Sequence, residues 1–258
     1  MQHLRFKKLG ARWLTVALFA VAMAWVESAV VFDLRAMVAR IEPYQPEPLP
    51  LAGTLGLVEL VRELATMIML LAVGILAGHT WRNRLAYTAV AFGVWDIFYY
   101  VFLKLMCGWP HSLLDWDILF LLPLPWWGPV LTPMMIAALM VAWGTLVTQG
   151  VTRRARGLCN AALVLGCLGA ILAFYTFVEE SVRVADQGVD ALRRLLPAQF
   201  DWPLFGLAFV LMALPILLQG RELWLRNLVS DRFRAWAPCD VNADPERETV
   251  SKSRKTHV

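Results

Sequence analysis

The hydrophobic and polar residues of this chain are arranged in long blocks. Six mainly apolar runs are separated by shorter polar stretches, and they cover 13–34, 55–78, 85–106, 129–148, 158–180 and 203–220. A helix of about 20 apolar residues crosses the hydrocarbon core of a bilayer. Because a chain in lipid must satisfy its own backbone hydrogen bonds, continuous apolar runs without alternation predict helices. The pattern therefore predicts an all-α fold, a polytopic membrane bundle of six transmembrane helices.

Composition supports this class and adds a domain division. The 258 residues are 59% hydrophobic, with a mean hydropathy of +0.57, which is too apolar for a soluble domain. We expect one six-helix domain over 1–220, followed by a basic, largely disordered cytoplasmic tail over 221–258. The N-terminus resembles a secretory signal, but its apolar run continues past Ala24 to spanning length. This favours a first helix that is not cleaved.

Basic residues indicate the orientation. Of the 24 Lys and Arg, 17 lie in the N-terminus, in the loops at 82–84 and 153–156, and in the tail. Because cytoplasmic segments are enriched in Lys and Arg, both termini and these loops are predicted to be cytoplasmic. The tail is interpreted as a topology anchor that contacts the lipid bilayer rather than as a nucleic-acid arm.

The segment 107–128, between helices three and four, contains the apolar stretch ILFLLPLPWW. If it crossed the membrane, every later loop would change sides and the basic loops would lie outside. It is therefore predicted to be re-entrant or interfacial, a lid whose tryptophans suit the headgroup region. The lid candidates are His111, Asp115, Asp117, Trp126 and Trp127, and Trp109 and Trp116 belong to the same interfacial set.

Acidic residues are segregated from the basic loops. All 14 Asp and Glu before residue 221 fall on the predicted outer side, with only 7 Lys and Arg there, a net charge of −7. Acidic residues contribute little to membrane orientation, so topology alone does not explain this segregation. The pattern predicts an outer vestibule that attracts cations or basic groups.

Several ionisable residues lie within the predicted spans, where they must face the bundle interior and find partners. Glu59, Glu63 and Thr66 recur at four and three residues and share one helix face. The candidate pocket comprises Glu27, Glu59, Arg62, Glu63, Asp96, Tyr99, Tyr100, Lys104 and Glu179. Each ion pair in this set has an alternative interpretation, in which the charges neutralise one another and fix helix register.

Histidine usage limits the metal chemistry. Only His111, of four histidines, lies on the predicted outer side, which argues against a bis-histidine haem or a histidine-type zinc site. A hard divalent cation bound by Glu27, Glu63 and Asp96 is left open. No catalytic residue is assigned, because the sequence carries no P-loop, H-E-x-x-H, G-x-S-x-G or G-x-G-x-x-G motif.

Residues 58–131 carry a family resemblance. The segments VELVRELATMIMLLAV and FGVWDIFYYVFLKLMCGWPHSLLDWDILFLLPLPWWGPVL resemble a family of bacterial polytopic inner-membrane proteins of uncharacterised activity. The resemblance covers helices two to four. It implies a multi-pass protein of the bacterial inner membrane and assigns no residue a role.

Three functional hypotheses remain at this level. The first is cation- or proton-coupled binding or transport that uses the outer carboxylate pocket. The second is a membrane-embedded enzyme acting on a lipid or quinone-like substrate, with Asp and Glu as acid and base. The third is a non-catalytic subunit that assembles with other membrane subunits through its buried charges.

Overall fold

The computed structural model of the protein describes residues 2–49, 54–149 and 156–236. Its elements are α1 (Gln2–Met37), α2 (Thr54–Ala77), α3 (Trp81–Cys107), β1 (Trp116–Phe120), β2 (Trp126–Pro129), α4 (Leu131–Thr148), α5 (Arg156–Val184), a 3₁₀ turn (Ala185–Gln187), α6 (Val189–Arg194) and α7 (Trp202–Trp236). The chain divides into two units, Met1–Gln219 and Gly220–Val258. The site described below lies wholly in the first. Helix α7 includes the start of the predicted tail, and residues 237–258 of that tail lie outside the described part.

In the part of the chain that the structure describes, six helices are long and apolar enough to cross a membrane, which confirms the predicted all-α polytopic bundle. Their spanning segments are Gly10–Met37, Thr54–Ala77, Trp81–Cys107, Leu131–Thr148, Val164–Gln187 and Trp202–Arg221. In the most apolar 18-residue stretch of each helix, only 17–44% of the residues are buried inside the protein. The remaining residues are available to lipid, as expected for a multi-pass membrane protein.

Helix α3 is the centre of the first four spans and packs on α4, α1 and α2. Its contact with α4 is close because two glycines remove side chains from the interface. A Cβ on Gly93 would lie 2.5 Å from the carbonyl oxygen of Ala137, and one on Gly144 would lie 2.5 Å from that of Ala86. Small residues of this kind let membrane helices approach until their backbones touch.

We expect Gly144→Ala to destabilise the protein by about 1–3 kcal/mol, the usual range for overpacking a close interface. The added methyl group would also meet Val90 Cγ2 at 2.7 Å. Thermal unfolding in detergent measures the effect. The control is Gly166→Ala in α5, where a Cβ meets nothing within 4 Å and alanine favours the helix. Equal stability of the two variants would contradict the close α3–α4 packing.

The proline-rich loop after α1 is held by one arginine. Ala39 adopts a left-handed φ of 53° and turns the chain, so that Arg40 N–H bonds to Arg35 O at 2.8 Å. The Arg40 guanidinium then donates to four backbone carbonyls, which belong to Pro43, Gln45, Glu47 and Pro48. Prolines have a carbonyl acceptor but no N–H donor, so the loop backbone lacks donors for its own carbonyls. The Arg40 guanidinium supplies these donors.

The predicted lid segment forms a β-hairpin. Gly108, with φ of 77°, ends α3, and β1 then pairs antiparallel with β2, with Asp117 opposite Gly128 and Ile118 opposite Trp127. The hairpin packs on α5, where Ser181 Oγ donates to Pro125 O at 2.5 Å. Strand pairing satisfies backbone groups that an irregular segment would leave open.

Two of the tryptophans assigned to the headgroup region are covered by protein. Trp109 and Trp127 are each only 2% exposed. The Trp109 ring lies against Arg35 and Tyr100, and the Trp127 ring is edge-on to Tyr44 of the proline-rich loop. Trp116 and Trp126 are partly exposed, and Trp126 lies edge-on to Phe174 of α5 with ring centroids 4.8 Å apart.

Candidate functional site

A cavity of about 130 Å³ lies between α1, α2, α3 and β1. Its lining includes seven residues of the predicted pocket: Glu27, Glu59, Arg62, Glu63, Asp96, Tyr99 and Tyr100. The lining residues of each helix recur at spacings of three, four or seven, which place them on one face of that helix. The hairpin closes one side with Ile118, Leu119, Phe120 and Leu121.

One wall of the cavity is a carboxylate–guanidinium–carboxylate triad. Arg62 of α2 forms ion pairs with Glu27 of α1 and with Glu59 one turn away on its own helix. Its Nε–H donates to Glu59 Oε2 at 2.8 Å. Glu27 is buried, and its second oxygen accepts a hydrogen bond from Thr66 Oγ1 at 3.0 Å. The triad joins α1 to α2, which share few other contacts.

Glu63 joins α2 to the hairpin. Both of its carboxylate oxygens lie 3.0 Å from the backbone nitrogen of Leu121, immediately after β1. Glu63 is buried, so the Leu121 N–H supplies a donor to a carboxylate that is largely removed from solvent. A carboxylate on α2 thereby positions the chain that follows β1.

A second buried ion pair ties the hairpin to α1. Asp117 of β1 accepts from Arg35 Nη2 at 2.9 Å and from the Tyr100 hydroxyl at 3.1 Å. Asp117 is 1% exposed. Burial raises the pKa of its carboxyl, and the Arg35 charge and the Tyr100 hydrogen bond oppose that rise. The guanidinium carbon of Arg35 also lies 4.5 Å from the centroid of the Trp109 ring.

Asp96, at the middle of α3, has an unsatisfied oxygen. It is 7% exposed and lines the cavity, yet its Oδ2 has no hydrogen-bond partner within the described part of the chain. The neighbouring Trp95 lines the same cavity, and no described residue accepts from its indole N–H. A buried polar atom without a partner is costly, so such atoms in a cavity mark a place for a ligand or a proton.

Two residues of the predicted pocket do not line the cavity. Lys104 Nζ donates to the carbonyls of Gly108 and Pro110, at 2.8 Å and 2.7 Å, where it caps the end of α3. Glu179 pairs with Arg183 along α5 at 2.5 Å. With these local partners, both residues lie outside the lining of this cavity.

The lid candidates separate into different environments. His111 is largely exposed and lies 3.2 Å from Glu42 through Nε2, and Asp115 Oδ2 accepts from the backbone N–H groups of His111 and Ser112. These contacts shape the turn before the hairpin. Trp126 packs on Phe174 of α5 and Trp127 on Tyr44 of the proline-rich loop. Asp117 belongs to the buried network beside the cavity.

Metal ligation by Glu27, Glu63 and Asp96 finds no geometric support. Among the residues whose side chains the structure describes (10–49, 54–149 and 164–221), no group of three His, Cys, Asp or Glu could hold a metal ion. The reason is visible in the partners: Glu27 is engaged by Arg62 and Thr66, and Glu63 by the Leu121 N–H.

Sequence reasoning missed Arg35, Arg40 and Trp95 as site residues. All three line the cavity. A signal existed for Arg35, because Glu27, Val31 and Arg35 recur at four-residue steps and share one face of α1. Arg40 and Trp95 carry no such signal, since their roles depend on the folded loop and on the hairpin.

Comparisons with protein-family models, with curated proteins and with solved structures found no match to this chain. The class that the fold defines is a multi-pass α-helical membrane protein. Any assignment beyond that class depends on the cavity and its partners.

Proposed function

We propose that this protein resides in a bacterial inner membrane with both termini in the cytoplasm and the cavity near the periplasmic side. The support is the distribution of charge. Arginines occur at 82–84, in the first turn of α3, and at 153–156, between α4 and α5 in the sequence. The hairpin and the proline-rich loop lie at the opposite ends of their helices. Cytoplasmic enrichment of Lys and Arg then orients the bundle.

Cysteine accessibility tests this orientation. In a background without the four native cysteines, Ser112→Cys should react with a membrane-impermeant reagent added from the periplasm. Gln149→Cys, at the other end of α4, should react only after the membrane is opened. Periplasmic labelling of both positions would contradict the orientation.

We propose further that the cavity serves proton-coupled binding or transport, with Asp96 as the group that takes up and releases the proton. The observation that carries this proposal is the unpartnered Asp96 Oδ2 on the cavity wall. Glu27, Glu59 and Glu63 already have donors, so Asp96 is the lining carboxylate with an acceptor left for a proton or a ligand. Intramembrane carboxylates of this kind commonly serve proton relays.

Asp96→Asn tests the role. An amide keeps the shape of the side chain but cannot exchange a proton, so we expect thermal stability close to that of the native protein. Infrared difference spectra recorded through a pH titration should show a carboxyl C=O band that titrates in the native protein and is absent from the variant. In proteoliposomes with a trapped pH dye, the native protein should take up protons and the Asp96→Asn variant should not.

The matched control is Glu179→Gln, the same type of substitution at a carboxylate that pairs along α5 away from the cavity. It should leave both the infrared band and proton uptake unchanged. A titrating band that survives Asp96→Asn would overturn the role. So would an Asp96→Asn protein that fails to fold, because that result indicates a structural carboxylate.

A further inference from the structure

The wall beside Asp96 is aromatic. Trp95, Tyr99 and Phe120 all line the cavity. The ring centroids of Trp95 and Tyr99 are 6.1 Å apart, and those of Trp95 and Phe120 are 6.5 Å apart. Three rings from α3 and β1 thus line the same cavity as one unpartnered carboxyl group. Aromatic rings attract cations through their quadrupole, most strongly where water is excluded.

The other charges of the cavity are already committed. Arg62 lies between Glu27 and Glu59, Arg35 is paired with Asp117, and Arg40 donates to backbone carbonyls. None of the three guanidinium groups is left as an isolated positive charge for an anionic ligand. Glu63 accepts from the Leu121 N–H, and the lining carboxyl group with an oxygen that has no hydrogen-bond partner among the described residues is that of Asp96.

We propose that the ligand of this cavity is a small organic ammonium cation, held between the Asp96 carboxylate and the rings of Trp95, Tyr99 and Phe120. The volume of about 130 Å³ suits a compact cation. A bare metal ion fits less well, since no described group of three ligating side chains is present and rings supply no lone pairs. A carboxylate with an aromatic wall matches an ammonium group and its apolar substituents.

This ligand class rests on the proposed proton chemistry of Asp96. It predicts that ligand binding releases a proton. Binding exchanges one cation for another at the same oxygen: protonated Asp96 and a free ammonium ion become an Asp96 carboxylate–ammonium pair and one released proton. Charge is conserved, and one proton leaves for each ammonium ion bound. Such an exchange at one carboxylate would couple ligand movement to proton movement.

Isothermal titration of the purified full chain in detergent tests the inference with defined probes. Propylammonium and tetramethylammonium are compared with sodium, magnesium and the neutral 1-butanol. We expect saturable binding of the ammonium ions alone, with about one proton released per ion, read from titrations in buffers of different ionisation enthalpy. Asp96→Asn should weaken binding at least tenfold, and Glu179→Gln should not change it.

The aromatic contribution has its own variant pair. Trp95→Leu should weaken tetramethylammonium binding about 3- to 30-fold, the range of a cation–π contact, whereas Trp95→Phe keeps a ring and should recover much of the loss. Thermal unfolding of both variants shows whether the fold is retained. Equal losses in Leu and Phe variants that remain folded would overturn the aromatic role.

Failure of this inference differs from failure of the proposed function. If the Asp96 band titrates but no ammonium probe binds, the ligand class is wrong and the proton role stands. If ammonium ions bind without proton release, the ligand class stands and the proposed proton exchange is wrong. Equal binding of 1-butanol, or unchanged ammonium binding in Asp96→Asn, would overturn the ligand class outright.

Discussion

Replacing Asp117 by alanine is expected to destabilise the protein by about 3–5 kcal/mol, the usual loss when one partner of a buried ion pair is removed. The variant strands the Arg35 guanidinium, whose side chain is 13% exposed, and it also removes the acceptor of the Tyr100 hydroxyl. The attachment of the hairpin to α1 is lost at the same time. Denaturant unfolding in micelles measures the change.

The control for Asp117→Ala is Glu180→Ala on α5. It breaks a pair with Arg183, whose side chain is 61% exposed, so we expect about 0–1 kcal/mol. Adding Arg35→Met to Asp117→Ala removes the stranded charge and should recover part of the lost stability. If Asp117→Ala costs no more than Glu180→Ala, then the pair does not hold the hairpin.

The membrane spans can be predicted from the sequence because a helix that crosses lipid needs about 20 mainly apolar residues in a row. The predicted 85–106 and the observed Trp81–Cys107 differ only at the ends, where Thr80 accepts from Asn83 N–H and starts the helix earlier. The fifth span is predicted to end at residue 180, whereas α5 continues to Val184. There Arg183 forms ion pairs with both Glu179 and Glu180, which lie one turn away on the same helix.

The hairpin could not be predicted by the same reasoning. The run ILFLLPLPWW fits a re-entrant helix as well as a strand, and its prolines exclude only a long helix. Pairing of β1 with β2 depends on contacts from other parts of the chain, including Glu63 to Leu121 and Ser181 to Pro125. Local patterns do not encode such partners.

Part of the candidate site could likewise be predicted from the sequence, and part could not. Spacing indicated that Glu59, Glu63 and Thr66 share a face, and the cost of burying charge indicated that intramembrane acids need partners. Neither rule identifies the partner. Asp117 was assigned to a lid surface and lies in a buried network with Arg35, because β1 turns alternate side chains toward the helices.

Replacing Arg62 by methionine is expected to have the second large effect, a destabilisation of about 3–5 kcal/mol. Methionine keeps much of the length of the arginine stem but leaves Glu27 and Glu59 facing each other without a cation. Glu27 is 8% exposed and retains only the Thr66 hydroxyl among its described side-chain partners. Because the triad also joins α1 to α2, we expect the separation of these helices to contribute to the loss.

A rescue experiment distinguishes stranded charge from lost packing. The triple variant Arg62→Met, Glu27→Gln, Glu59→Gln removes the whole triad and leaves no buried charge at these positions. Since replacing a complete buried ion network by neutral groups is often close to neutral, the triple variant should be more stable than Arg62→Met alone by about 2 kcal/mol or more. Arg62→Lys, which keeps the charge but not the fork that reaches both carboxylates, should fall between them. A triple variant no more stable than Arg62→Met would show that the arginine stem, rather than its charge, holds α1 against α2.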